Sequence, residues 1–200
     1  MRLGIFGGAF NPVHNGHINL AKSYLSSLAL DKLLIIPTAN PPHRSAAGFA
    51  GEEDRLNMLS LAFEGIEKIE LSDIEFKRSE KSYTYDTVKE LRKNYTNAEF
   101  FLIIGEDQFL MFNSWYKYKE LLDEVVLCTA AREKDTKKAL ADYAQSLLGS
   151  QYGDYIADFD PIIISSSALR EKLKAGEDVS AYLPAKVYDY IKDKGLYVEE

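Results

Sequence analysis

The sequence predicts an α/β protein, a doubly wound, mainly parallel sheet flanked by helices in a single domain. Three observations predict it. Short apolar runs of strand length alternate with stretches whose apolar residues recur at helical spacing, along the whole chain. Several of these runs stop at Gly, Pro or Ser, where a strand gives way to a loop. A length of 200 residues with 46% apolar composition fits one domain with an ordinary core.

The elements follow in order. Residues 3–6 form a buried-strand run that breaks at Gly7-Gly8. From Gly16 onward Ala21, Tyr24, Leu25 and Leu28 recur at helical spacing, and residues 32–36, stopping at Pro37, read as a second strand. A strand–helix–strand opening makes a parallel pair the default. Residues 55–63 carry a helical face in Leu56, Leu59 and Phe63, and residues 69–71 are a strand. Thr84 is placed to cap a helix through Val88, Leu91 and Tyr95. Residues 99–104 are a strand, apolar after its first residue and ending at Gly105. Residues 115–122 read as helix, 125–129 as strand, and 137–148 as a helix with Leu140, Tyr143, Ala144 and Leu147 inward. Residues 162–164 are the last strand, running into Ser165-Ser166-Ser167 and another helix. Pro184 opens a final helix with Val187, Tyr190 and Ile191 on one face, and Gly195 suits its C-cap. The domain spans residues 1–200, with 160–200 a C-terminal helical part carrying the Ser-Ser-Ser-x-x-Arg motif. Residues 40–52 are the longest irregular stretch, and a loop of that length in a compact domain is more often functional than idle.

Composition excludes several classes. A net charge of −7 without a lysine/arginine tract disfavours a polynucleotide partner, which demands a basic stripe. The apolar start is too short for a signal peptide, and no run approaches the ~20 residues that span a bilayer. Neither secretion nor a membrane is expected. Cys128, the single cysteine, cannot pair internally. Set in the run Val125-Val126-Leu127, it reads as an inert buried thiol, consistent with a reducing cytoplasm.

In an open parallel sheet ligands bind beyond the carboxyl ends of the strands, so chemistry should follow strands. After the first comes Gly7-Gly8-Ala9-Phe10-Asn11-Pro12-Val13-His14-Asn15-Gly16-His17. Paired glycines let backbone N–H groups approach a phosphate, and the following helix N-terminus adds partial positive charge. His14 and His17, three apart, can reach one anion; a tight turn with two surface histidines is the plainer reading. The G-x-G-x-x-G spacing of a dinucleotide-binding dehydrogenase is absent. After the second strand, Pro41-Pro42-His43-Arg44 stiffens a loop and offers a guanidinium fork to phosphate oxygens. All three histidines of the chain fall after the first two strands. After the fourth, Gly105-Glu106-Asp107 offers Asp107 to a ribose diol or to a helix N-terminus. Trp115 is either core or a platform for a flat ring. After the last, Ser165-Ser166-Ser167-Ala168-Leu169-Arg170 places hydroxyls, free N–H groups and a cation at a helix start, a second anion cradle.

These residues resemble a known family. Residues Gly7 to His17 are similar to the paired-histidine signature of the nucleotidyltransferase superfamily, and Ile164 to Arg170 to its second motif. Within it, Pro41-Pro42-His43-Arg44, Ser82-Tyr83-Thr84-Tyr85-Asp86-Thr87, Gly105-Glu106-Asp107, Trp115-Tyr116 and the ending from Tyr182 through Tyr197 resemble bacterial nicotinate mononucleotide adenylyltransferases, in the same order over essentially the full chain. The resemblance implies a Rossmann-like sheet and adenylyl transfer from ATP to nicotinate mononucleotide, giving deamido-NAD and pyrophosphate, with Mg²⁺ carried on the ATP phosphates and no protein metal ligands. It assigns Gly7, Gly8, Ala9, Phe10, His14, His17, Gly105, Asp107, Ser166, Ser167 and Arg170 to ATP, with His14, His17 and Arg170 catalytic. It assigns His43, Arg44, Tyr83, Thr84, Trp115 and Arg132 to nicotinate mononucleotide. Ser167 stands where threonine is commoner, Arg44 where lysine is frequent, and Glu106 replaces a usually small residue; Arg132 is followed by Glu133-Lys134 rather than the more familiar Pro-Gly. The partners implied are small molecules, with homo-oligomerisation left open. Nicotinamide mononucleotide and pantetheine phosphate are alternative acceptors, and a non-catalytic nucleotide-binding regulator of the same fold is the alternative of another class.

Overall fold

A computed structural model of the chain describes residues 1–40, 48–79, 81–131, 136–148, 156–157, 162 and 164–198. Six parallel strands lie in the order β3-β2-β1-β4-β5-β6: β1 (Arg2–Gly8), β2 (Lys32–Pro37), β3 (Ile69–Leu71), β4 (Glu99–Ile103), β5 (Val126–Ala130) and β6 (Ile156–Ala157). The order runs outward in one direction from β1 and, beginning with β4, in the other, so a crevice opens between the carboxyl ends of those two neighbours. The fold class is the one expected.

Side-chain alternation builds a core on each face. Phe6, Leu33, Ile35, Phe101 and Ile103 point one way, to meet α1 (Asn15–Ser27), α2 (Glu52–Phe63), α7 (Ser166–Lys174) and α8 (Ala185–Asp193). Leu3, Ile5, Leu34, Phe100 and Leu102 point the other way, toward α3 (Thr84–Asn94), α4 (Glu106–Leu110), α5 (Tyr118–Leu122) and α6 (Thr136–Leu148). Burial on both faces is why these strands read as unbroken apolar runs. Each fully buried Leu, Ile or Phe contributes roughly 1.5–3 kcal/mol, so the two faces together drive folding. Among the described residues no helix is long and apolar enough to cross a membrane.

Several elements differ from expectation. Gly7 and Gly8 belong to β1 and pair with Ile36 and Pro37, so the strand carries the backbone further toward the crevice than its apolar run implied. In α2 the buried face is Arg55, Met58, Leu59, Ala62 and Phe63, with Leu56 only half-buried. Tyr83 rather than Thr84 stands at the N-cap of α3. The single helix expected over 115–122 is a 3-10 turn at Phe112–Ser114 and the short α5. Trp115 between them is extended and Lys117 is left-handed. Residues 162 and 164 are not in a strand; among the described residues the last strand is β6, upstream.

Candidate active site

One cleft of about 640 Å³ occupies the crevice. Its floor is the end of β1, Gly7 and Gly8, beside Ile104 and Gly105 after β4. Its walls come from the β1–α1 loop, the start of α3, the α4–α5 region and the start of α7.

The glycine–histidine loop is built from behind. Phe10 has φ 45, and its ring, 1% exposed, packs edge-on against Phe6 and against His17 at 4.9 Å. Although Phe10 borders the cleft, its side chain is committed to packing. The His14 and His17 rings stack with centroids 3.7 Å apart. The His14 main-chain N–H donates to His17 Nδ1 at 3.2 Å, which assigns the proton of a neutral His17 ring to Nε2. A Cβ on Gly16 would lie 3.0 Å from His14 Nδ1 and 3.1 Å from the Ile162 carbonyl, so only glycine allows that ring and chain to approach so closely.

The three serines divide their work. Ser165 caps α7, its Oγ accepting from the Ala168 N–H at 3.1 Å. Ser166 Oγ donates to the Pro12 carbonyl at 2.9 Å. Ser167 Oγ accepts from Arg170 Nη2 at 3.3 Å, and Arg170 Nη1 donates to the Asn11 carbonyl at 2.7 Å. The two predicted anion cradles are thus stitched together and face one cavity.

At the other wall, Tyr83 and Tyr116 lie 4.6 Å apart, and Lys117 Nζ stands 4.6 Å over the Tyr85 ring. Trp115 leans on Phe112, and its indole N–H, buried, meets no acceptor among the described residues. Asp107 occupies the first turn of α4, whose N-cap is Gly105. Gly7, Gly8, Ala9, Phe10, His14, His17, Tyr83, Thr84, Gly105, Asp107, Trp115, Ser166, Ser167 and Arg170 therefore all line the one cleft. His43, Arg44 and Arg132 lie outside the described residues.

The cytidylyltransferase-like family matches the chain over residues 5–172. A probable nicotinate-nucleotide adenylyltransferase of Clostridium tetani is 35% identical over 194 residues, covering 96% of this chain and 97% of that protein. One from Borrelia garinii subsp. bavariensis is 38% identical over 200 residues, covering 100% of this chain and 96% of that protein. The chain belongs to the nicotinate-nucleotide adenylyltransferase family. Among solved structures, the nicotinic acid mononucleotide adenylyltransferase of Plasmodium falciparum complexed with NaAD superposes with a TM-score of 0.81 at 21% identity, covering 98% of this chain and 97% of that one. That likeness establishes the shared Rossmann-like fold.

This nicotinate-nucleotide adenylyltransferase family member also buries two charged residues that motif reading passed over, Glu75 in its cleft and Arg55 behind the β1–α1 loop. Glu75, 5% exposed, lines it and accepts from Thr87 Oγ1 at 2.8 Å, while Arg78 Nη2 donates to that same hydroxyl oxygen at 2.5 Å. Burial pushes the Glu75 carboxyl up from its ordinary value, against the opposing pull of Thr87 and Arg78. Ser82 Oγ accepts from the Asn40 N–H at 3.4 Å, and the Ser82 N–H donates to the Asn40 carbonyl, tying the end of β2 to the start of α3. Arg55, 2% exposed, donates to the carbonyls of Ala9 at 3.1 Å and Thr38 at 2.7 Å. No periodicity marks these residues: a charged side chain at a helix start or after a three-residue strand reads as surface. Glu106, the departure noted above, accepts from Thr136 Oγ1 at 3.2 Å and lines the cleft beside Asp107. Among the described residues no group of three or more His, Cys, Asp or Glu gathers to hold a metal ion.

Proposed function

We propose that the protein transfers the AMP moiety of ATP to nicotinate mononucleotide, giving deamido-NAD and pyrophosphate. The observation that carries this reading is the joining of the two anion cradles, through Arg170 to Asn11 and Ser166 to Pro12, around one cleft at the strand-order switch. Relatives 33–38% identical that are named probable nicotinate-nucleotide adenylyltransferases support the choice of acceptor.

An oxygen of the acceptor 5′-phosphate attacks the α-phosphorus of ATP in line. The new P–O bond forms as the bond to the bridging oxygen of the β-phosphate breaks, and pyrophosphate leaves with that electron pair. The attacking phosphate is already an anion near neutral pH, so no general base is required. The work is positioning, which lowers a barrier by ~7–11 kcal/mol, and stabilisation of charge on the transferring group. Gly7, Gly8 and the start of α1 hold the phosphates with His14, His17, Ser166, Ser167 and Arg170; Gly105 and Asp107 hold the ribose side. Tyr83, Thr84 and Trp115, with His43, Arg44 and Arg132, hold the acceptor nucleotide. Mg²⁺ arrives on the triphosphate as part of the substrate and neutralises its charge, as a cation that keeps most of its waters does. The reaction is assigned to the cytoplasm, a reducing compartment that suits the buried free thiol of Cys128.

The test is pyrophosphate release with ATP and Mg²⁺, comparing nicotinate mononucleotide, nicotinamide mononucleotide and pantetheine phosphate. Highest kcat/KM with nicotinate mononucleotide is expected. A preference for either of the others overturns the acceptor, and no release with any of them favours a nucleotide-binding regulator.

A further inference from the structure

α8 ends in a turn that delivers one side chain to the β1–α1 loop. The Gly195 N–H donates to the Lys192 carbonyl at 3.2 Å and the Leu196 N–H to the Ile191 carbonyl at 3.0 Å, with Gly195 at φ 59. This paired closure stops the helix and reverses the chain. Tyr197 follows at φ 64, a left-handed conformation that a bulky aromatic rarely adopts and that persists only where the surroundings over-determine it. What surrounds it is Asn11. Tyr197 Oη donates to Asn11 Oδ1 at 2.6 Å, across 186 residues of sequence, and the Ala50 N–H donates to the same oxygen at 3.0 Å. Asn11 is fully buried, and its own carbonyl receives Arg170 Nη1. Burial pushes the Tyr197 phenol up from the ordinary tyrosine value, with Arg170 and Arg55 opposing, so the hydroxyl keeps its proton and donates at neutral pH.

We propose that Tyr197 is a positioning residue for adenylyl transfer: it fixes Asn11, and Asn11 holds the Arg170 guanidinium at the angle from which its remaining N–H groups face the cleft. The proposal rests on the function proposed above. A guanidinium is a planar fork whose value lies in its orientation, and a misplacement of about 1 Å at a reacting centre costs on the order of a hundredfold in rate. The ring of Tyr197 packs against the apolar core, so only removal of the hydroxyl separates packing from positioning.

Tyr197→Phe removes that hydroxyl alone. The expected result is a fall in kcat of about tenfold, with KM for both substrates within about twofold and Tm lowered by no more than about 2–4 °C. The deciding readout is the same substitution made in Arg170→Lys, which keeps the charge and loses the fork. If Tyr197 acts through Arg170 the two effects do not multiply, and Tyr197→Phe costs less than about twofold in that background. Equal factors in both backgrounds, a kcat within about twofold of wild type, or a rise in KM with kcat retained overturns the proposal. Wild-type protein assayed alongside keeps the two claims apart. An active wild type with an indifferent Tyr197→Phe removes only the role of Tyr197, whereas an inactive wild type removes the reading on which it rests.

Discussion

His17 has two tasks. Its Nδ1 accepts the His14 main-chain N–H at 3.2 Å, helping to close the first turn of α1, and the residue also lines the cleft. An alanine there removes both a local acceptor and a preorganised donor. His17→Ala should lower kcat by roughly 10²–10³, about 2.7–4 kcal/mol of transition-state stabilisation. His17→Asn offers an oxygen in place of Nδ1 and should recover stability without recovering rate. Steady-state kinetics and thermal denatuation of both variants check this, and a fall of less than about threefold in kcat for His17→Ala removes its catalytic assignment. The pair was legible because spacing alone puts both histidines at one helix start. Arg55 was not: its two carbonyl partners, Ala9 and Thr38, lie 46 and 17 residues away, and nothing near Arg55 in the chain announces them.

At the scale of elements, α7 holds Ser166, Ser167 and Arg170 in place, and Ser165 starts it. Ser165→Ala removes the acceptor of the Ala168 N–H and should cost about 1 kcal/mol, lowering Tm by about 2–4 °C. Because Arg170 keeps its bond to Asn11, kcat should stay within about twofold of wild type. Differential scanning calorimetry and the pyrophosphate assay decide it, and an unchanged Tm shows that the cap is dispensable. Buried central strands were the most legible elements: β1, β2 and β4 are apolar on both faces, so their runs have no competing period. The region of Trp115 was misread because apolar residues at roughly helical spacing also suit a 3-10 turn followed by a short helix. Left-handed Lys117, which breaks the two apart, leaves no mark in the pattern. The last described strand, β6, was not read because its pairing with Thr129 and Ala130 is a long-range choice.

On the scale of the whole molecule, an acidic protein sets the Arg170 and Arg55 guanidiniums against the β1–α1 loop and carries exposed pairs such as Arg2 with Glu99. Such surface pairs contribute little to stability. Glu75 departs from that pattern, its carboxyl buried. Desolvation raises its folded-state pKa above the ordinary 4.5. The favourable balance is therefore complete below about 4.5 and is lost as pH rises through the raised value, where folding must carry a buried carboxylate. Glu75→Gln escapes that loss, so its stability relative to wild type should rise with pH from about 4.5 and level off once the raised value is passed. Urea unfolding at several pH values reads this slope directly, and a difference that is flat or falls with pH refutes it. Cys128 plays no part in the site: fully buried, with its thiol pushed up by burial, it stays protonated in the core.

By itself the sequence determined the alternation of strands and helices, the parallel sheet and the two segments, residues 7–17 and 165–170, that face its crevice. Each depends on periodicity or spacing within about a dozen residues, which local backbone geometry dictates. Only the tertiary structure decided that those segments touch, that Asn11 joins Arg170 to Tyr197, and that Arg55 and Glu75 are buried beside the cleft. Those facts depend on which helices pack on which face of the sheet. Chain closure over as many as 186 residues carries no local signature, because the energy that selects it comes from apolar burial spread over the whole core.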